Sequence, residues 1–283
     1  MTSTTRIAPQ APSTAPRRPA RTTYGRNFLS DVVIDYGPPD QLGRLFLKAD
    51  TEMREFGLNV SFVPFDELVA INRANSESWR PILPIFDPEI GGIDESKGFA
   101  VVGRDSSGRA AYAHACRLYS LGDATLKEEI ESLRIFYSDP DKSRGEGEEM
   151  RVTAPSAATT MGPVVFIGAV WYRPDYRKRD LMSTTSPLVR GLALTRWYSD
   201  FSFSFMAEDL VHAGTAAKAH FPNVEWEIQM MRTPVYRKGF LRAALVWTDI
   251  EGQLAQVRDY LGGVEPQVDP VVEDGAAQKQ RRA

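Results

Sequence analysis

One cysteine, Cys116, and three histidines, His114, His212 and His220, are all that 283 residues offer of the usual soft metal ligands. A lone thiol excludes an internal disulfide and a cysteine-based zinc cage, and the separated histidines and scattered acids have no ligand spacing. No metal site is expected, and a reducing, cytoplasmic setting is. Charge of one sign is missing as well. The 34 basic and 37 acidic residues leave a net charge of −3, which gives no field suited to polyanionic nucleic acid. No run reaches the roughly 18 apolar residues of a membrane span, and the N-terminus has no apolar signal core. Neither nucleic acid nor a membrane is therefore an expected partner. A Walker-type phosphate loop, a Rossmann glycine fingerprint and internal repeats are also absent.

What is present suffices for a core, since 42% of the residues are apolar. Residues 1–26 are Ser, Thr, Pro, Ala and Arg, too poor in apolar groups to offset ordering entropy, and read as a disordered tail. Their arginines suit an organelle transit segment, but Pro9, Pro12, Pro16 and Pro19 would break its amphipathic helix. A single domain is expected over 27–262, with 27–96 as a helical N-terminal part and 97–250 as the core. Residues 263–283 read as a second disordered tail.

Periodicity supplies the elements. Leu42, Leu45, Phe46, Ala49, Met53 and Phe56 recur every three or four residues, which predicts a helix over 41–56. Leu68, Val69 and Asn72 predict another over 66–79, stopped by Pro81 and Pro84. Apolar runs 99–103 and 110–119 flank Asp105-Ser106-Ser107-Gly108, a hairpin that sets Tyr112, His114, Cys116 and Leu118 on one face. A helix is expected over 125–137, with Leu126, Ile130, Leu133 and Phe136 or Tyr137 inward, and a long irregular connection over 138–162. Strand 164–171, helix 183–197 and strand 201–206 follow. A helix from 208 to about 221, a strand pair at 224–232 and 240–248, and a helix capped by Asp249 complete the chain. The order predicts α+β, or mixed α/β, with a mostly antiparallel sheet and one strand–helix–strand crossover.

The segment 164–206 is central. A strand, a basic turn and a helix N-terminus together make an anion site, because terminal amides are unpaired and the helix dipole favours negative charge. The turn reads Tyr172-Arg173-Pro174-Asp175-Tyr176-Arg177-Lys178-Arg179-Asp180-Leu181-Met182. This run, with the order of elements, resembles the GNAT acyltransferase superfamily over roughly 97–250. Tyr172, Pro174, Tyr176, Arg177 and Leu181 match by type, whereas Lys178, Asp180 and Met182 stand where the family usually has glycines. The resemblance implies a GNAT-like twisted, mostly antiparallel sheet flanked by helices. It implies acetyl-CoA or another acyl-CoA as co-substrate, held by Val170, Trp171, Tyr172, Tyr176, Arg177, Lys178, Arg179, Asp180, Leu181, Met182 and Ser183. Ser183 is the expected helix cap, which would put Pro187 in the first turn.

The expected reaction is transfer of an acyl group to an amine of a small-molecule or peptide acceptor. The 164–171 strand holds no carboxylate base, so Glu208, Asp209 and His212, after the next strand, become the catalytic candidates. Acids in a first helical turn also simply complement the dipole, and His220 is an alternative to His212. Cys116 beside His114 is expected to pack as a small hydrophobe rather than act as a nucleophile. Two rival readings follow from the altered loop: an acyl-carrier-protein-dependent acyltransferase, like the acyl-homoserine-lactone synthases, and a catalytically inactive ligand-binding or interaction module. Acceptor identity, acyl chain and oligomeric state, a homodimer included, are left open.

Overall fold

The computed structural model describes residues 26–233 and 240–262. Both predicted tails, but for Arg26, and the Lys238-Gly239 turn lie outside the described residues.

Helix α1, Pro39–Glu55, starts on a proline that needs no donor there and buries Leu42, Leu45, Phe46, Ala49 and Met53, the predicted face. Strand β1, Asn59–Val63, precedes α2, Phe65–Ala74. The sequence places the end of α2 at the prolines, but it comes earlier. There Asn75 returns its amide and side chain to Ile71, and the Asn72 side chain ties down Arg80 and Ile82. A short α3, Pro88–Gly91, leads into the hairpin of β2, Gly98–Arg104, and β3, Ala110–Ser120. Asp105 accepts from the amides of Ser107 and Arg109, and Gly108 takes the positive φ that closes the turn.

Helix α4 runs only from Leu126 to Glu131, behind a Thr125–Glu128 capping box. The longer predicted helix is broken where Leu133 turns to φ 66°, yet Ile135, Phe136 and Tyr137 are still buried. The connection expected to be irregular contains α5, Pro140–Ser143, and a strand, β4, Glu149–Val152. Then come β5, Pro163–Tyr172, α6, Met182–Trp197, and β6, Phe201–Ala207. The predicted helix after β6 is two short ones, α7, Glu208–His212, and α8, Thr215–Lys218, split where Gly214 adopts φ 75°. Strands β7, Asn223–Met231, and β8, Phe240–Asp249, precede α9, Ile250–Tyr260, which Asp249 caps through the amide of Gly252.

All eight strands form one sheet in the order β1-β2-β3-β5-β6-β8-β7-β4, in which only β5 and β6 are parallel. This is the predicted α+β sheet with a single crossover, made through α6. Each face has its own core. Phe65, Phe86, Ile130, Phe166, Phe203 and Leu245 pack on the α2 and α4 side, and Phe46, Tyr112, Val165, Leu188, Val246 and Val257 on the α1, α6 and α9 side. Every residue of α6 from Thr184 to Thr195 is buried.

Two expectations about α6 fail together. Its first residue is Met182, and Ser183, inside the helix, donates its hydroxyl back to the Asp180 carbonyl instead of capping. Pro187 consequently falls in the second turn, where its missing N–H leaves the Ser183 carbonyl without a helical partner. The helix is held from outside instead: at Gly191 an added Cβ would lie 3.0 Å from Leu45 and 3.3 Å from Phe46 of α1. Gly191→Leu should therefore overpack the α1–α6 contact and cost about 1–3 kcal/mol, read as a lower melting temperature.

Candidate active site

The parallel pairing of β5 with β6 covers only Val164–Phe201, Val165–Ser202 and Phe166–Phe203. Past these the strands part, and β5 remains attached to β3 alone. On β5 the parting coincides with a bulge: Ala113 pairs with Trp171 and Ala115 with Gly168, so His114 faces both Ala169 and Val170, and Ala169 has φ 53°. The extra residue switches the faces of the strand. Val165 and Ile167 belong to the α6-side core before the bulge, and Tyr172 packs on that side after it.

Two cavities meet at this gap. An inner one of about 390 Å³ lies under α6, between Ile167, Gly168 and Val170 of β5 and Ser204 and Met206 of β6, with Met182, Ser186 and Arg190 as its helix wall. An outer one of about 530 Å³ lies on the other face, against residues 78–84, Phe136, Tyr137, Glu148 and Met230. Ala169, Val170, Tyr172, Phe205 and Leu210 line both. A ligand lying in the gap therefore has the unpaired edges of two strands beside it and is accessible from both faces.

The loop after β5 is pinned rather than loose. Arg177 donates Nε to the Tyr172 carbonyl at 3.0 Å and Nη2 to the Ser78 carbonyl at 2.7 Å. Trp171 stacks on Trp79 with centroids 5.0 Å apart and donates Nε1 to Ser78 Oγ. Arg173 sits between Asp105 and Asp175 at 2.8 and 2.7 Å; against the desolvation of its burial, hydrogen bonds from the Ser107 hydroxyl, from Arg173 and from the turn amides hold the Asp105 carboxyl well below the usual range. Tyr176 and Leu181 are buried in the core, with the Arg179 guanidinium over the Tyr176 ring. Lys178, Arg179, Asp180 and Ser183 are exposed.

Lys178 has φ 63° and Asp180 φ 56°, left-handed conformations that glycine adopts without strain. The backbone thus turns as a glycine loop would at two of the three substituted positions, while Met182 is simply helical. The N–H groups of residues 178–182 make no hydrogen bond among the described residues. Consecutive unpaired amides at the head of a helix are the kind of group that suits an anion.

Glu208, Asp209 and His212 are placed elsewhere. Glu208 is ion-paired with Arg242, Asp209 lies 3.7 Å from Arg80, and His212 stands against Trp226 at 6.2 Å. None of the three lines either cavity. Leu210, which lines both, is about 200° around the helix from Glu208, so α7 turns its charged face away from the gap.

Of the titratable groups that line the cavities, Tyr172 and Arg177 are among the site residues expected from the sequence, and His114, Arg190, Tyr137 and Glu148 are not. Burial pushes the Tyr172 phenol up to about 12, and its hydroxyl shares a 2.6 Å hydrogen bond with Thr185. Arg190 is buried under α6 with its Nη groups on the carbonyls of Ala219 and His220 and on Gln256, and burial brings it down to about 9. His114 is buried, its Nδ1 is 3.2 Å from the Tyr112 hydroxyl, and its Nε2 has no partner among the described residues. Burial, and then the Arg190 charge, bring it down to about 3, so it is neutral at pH 7. Cys116 is buried as expected, with its thiol pushed far up by burial. Glu148 came from a connection that periodicity left blank; a lone acid among loop residues carries no signal until the fold places it.

No protein-family model and no curated protein matches the chain. Among solved structures, it is similar to a spermidine N-acetyltransferase SpeG chimera from Vibrio cholerae and hSSAT, at 9% identity and a TM-score of 0.43 over 70% of this chain and 99% of that one. It is also similar to aminoglycoside acetyltransferase AAC(6')-Ib in complex with coenzyme A and kanamycin, at 10% identity and a TM-score of 0.40 over 70% of this chain and 98% of that one. The fold is a mixed α+β one, an eight-stranded, mostly antiparallel sheet flanked by helices. Values this low carry no argument about family or substrate, so the site has to be read from its own residues.

A histidine held neutral in the fold but free to protonate when unfolded lowers stability as pH falls. With a folded value of about 3, His114 alone should cost about 2 kcal/mol between pH 7 and pH 5. Urea titrations at the two pH values should show this loss in the wild type and a smaller one in His114→Asn.

Proposed function

We propose that this chain is a GNAT-like acyltransferase that takes an acyl-CoA in the gap between β5 and β6 and passes the acyl group to an amine. The observation that carries the reading is continuity. A strand edge opened inside a cavity at the Ala169 bulge runs directly into the unpaired amides of residues 178–182. An extended pantetheine arm suits the first and a pyrophosphate suits the second. Lys178 and Arg179 add positive charge beside these amides, and Asp180 subtracts from it. Arg177 uses two of its five donors on carbonyls, so it anchors the loop as well as adding charge to it.

In the reaction the amine nitrogen bonds to the thioester carbonyl carbon, the C–S bond breaks, and the departing thiolate takes up a proton. The amine gives up its own proton to water, since no carboxylate lines the inner cavity among the described residues. Tyr172, in the walls of both cavities and protonated at neutral pH, is the group positioned to supply the thiolate. That missing carboxylate also favours a second reading, a CoA-binding module without turnover. Steady-state assays on a panel of amines separate the two.

Isothermal titration with CoA should show binding, and Lys178→Ala with Arg179→Ala should weaken it about tenfold, or about 1.4 kcal/mol, with the loss shrinking at high salt. An absence of CoA binding by the folded wild type would remove the proposal. In turnover, Tyr172→Phe should lower kcat by roughly ten- to a hundredfold with little change in CoA affinity; an unchanged kcat would take Tyr172 out of the mechanism.

A further inference from the structure

The outer cavity holds one carboxylate, and that carboxylate is unusual in its neighbourhood. Asp139, Asp141 and Glu149, close by in the chain, each face a basic side chain, Lys142, Arg144 and Arg151. All three pairs are at the surface. Glu148 is only 7% exposed and forms no ion pair among the described residues. Its Oε2 accepts from the Tyr137 hydroxyl at 2.8 Å and from the Gly145 amide at 3.0 Å. Its Oε1 accepts no hydrogen bond among the described residues. Arg232 lies against Gly147 but makes no ion pair with Glu148. Buried carboxylates are normally matched by a cation or a metal, and among the described residues no group of three His, Cys, Asp or Glu side chains could hold a metal ion.

The surroundings suit an organic cation. Phe136, Tyr137, Trp79, Trp171 and Phe205 line the same cavity, and aromatic faces attract ammonium groups. Burial and the hydrogen bond to Glu148 raise the Tyr137 hydroxyl well above the usual phenol range, so it remains a donor that orients the carboxylate. Arg177, one of the cavity's cations, follows β5, whereas Glu148 adjoins β4 and β7, with β6 and β8 between, and the other, Arg80, lies 3.7 Å from Asp209. Three strand steps from β5 to β7 make about 14 Å at about 4.8 Å each. Glu148 is therefore remote from the bulge where acyl transfer would occur.

We infer that Glu148 is a specificity residue that receives a second, non-reacting cationic group of the acceptor, so the outer cavity takes an elongated, apolar-bodied amine with charge at both ends. This rests on the acyl-transfer reading for the word acceptor, but the cation site itself does not need it.

The test is calorimetric titration of the full chain with diaminooctane and, as a one-charge control, octylamine, each with and without saturating CoA. Diaminooctane should bind at least tenfold more tightly than octylamine. Glu148→Gln, which keeps both hydrogen-bond acceptor contacts, should abolish that difference while leaving octylamine and CoA binding unchanged, and Tyr137→Phe should reduce it by a few fold. Equal affinity for the two amines, or a diamine preference that survives in Glu148→Gln, overturns the inference. Should Glu148→Gln fail to fold, a wild-type preference that Tyr137→Phe leaves intact overturns it as well. If CoA does not bind but the diamine preference depends on Glu148, the acyl-transfer reading falls and the cation site stands. If CoA binds and the amines are not distinguished, the reverse holds.

Discussion

The parting of β5 from β6 is the constraint from which the rest of the structure follows. Parallel strands are joined by three residue pairs and then separated by a bulge, so the centre of the sheet carries an open seam. Gly168 makes the bend possible at the ring level: an added Cβ would lie 2.8 Å from Phe166 and 3.0 Å from Phe86. A seam in a sheet exposes backbone groups that must find partners. Either a ligand or water satisfies them, and the apolar walls on both sides favour a ligand.

Holding such a seam open requires rigid flanks. On one side β3 continues along β5 past the bulge, with Tyr112 stacked on Tyr172 at 5.6 Å. On the other, β8 pairs with β6 over its whole length. Beneath, α6 is buried almost end to end and braced by α1 and α9. Above, the segment at Ser78 is tied to the loop by Arg177 and by the Trp79–Trp171 stack. Helix α6 thereby keeps its first residues at the mouth of the seam, despite an interior proline and a start without a side-chain cap.

Much of this was legible in the chain. The heptad-like spacing of α1, the Asp105–Gly108 turn, the alternation of Phe201, Phe203 and Phe205, and the Asp249 cap each reflect a local rule, and each element formed where its rule placed it. The losses have local causes too. Helix α4 ends early because Leu133 goes left-handed, and the helix after β6 is split by Gly214. Strand β4 was missed because four residues are too few to show alternation, and its pairing with β7 is a contact across some eighty positions of chain. In the loop after β5, Lys178 and Asp180 occupy the left-handed region that favours glycine, which their residue types do not signal.

The sequence by itself determined the class of fold, the position of most helices and strands and the stretch of chain that turns into a cationic loop, because periodicity and turn chemistry are local. Only the tertiary structure decided which side chains meet at the seam. Glu208, Asp209 and His212 looked close to it along the chain and are turned outward by the pitch of a one-turn helix. Glu148, from a segment without pattern, is brought into the outer cavity by a strand pairing that no neighbouring residues encode. Burial then sets the chemistry: it holds His114 neutral, keeps the Tyr172 phenol protonated and leaves Glu148 in an aromatic-lined cavity with no ion pair among the described residues.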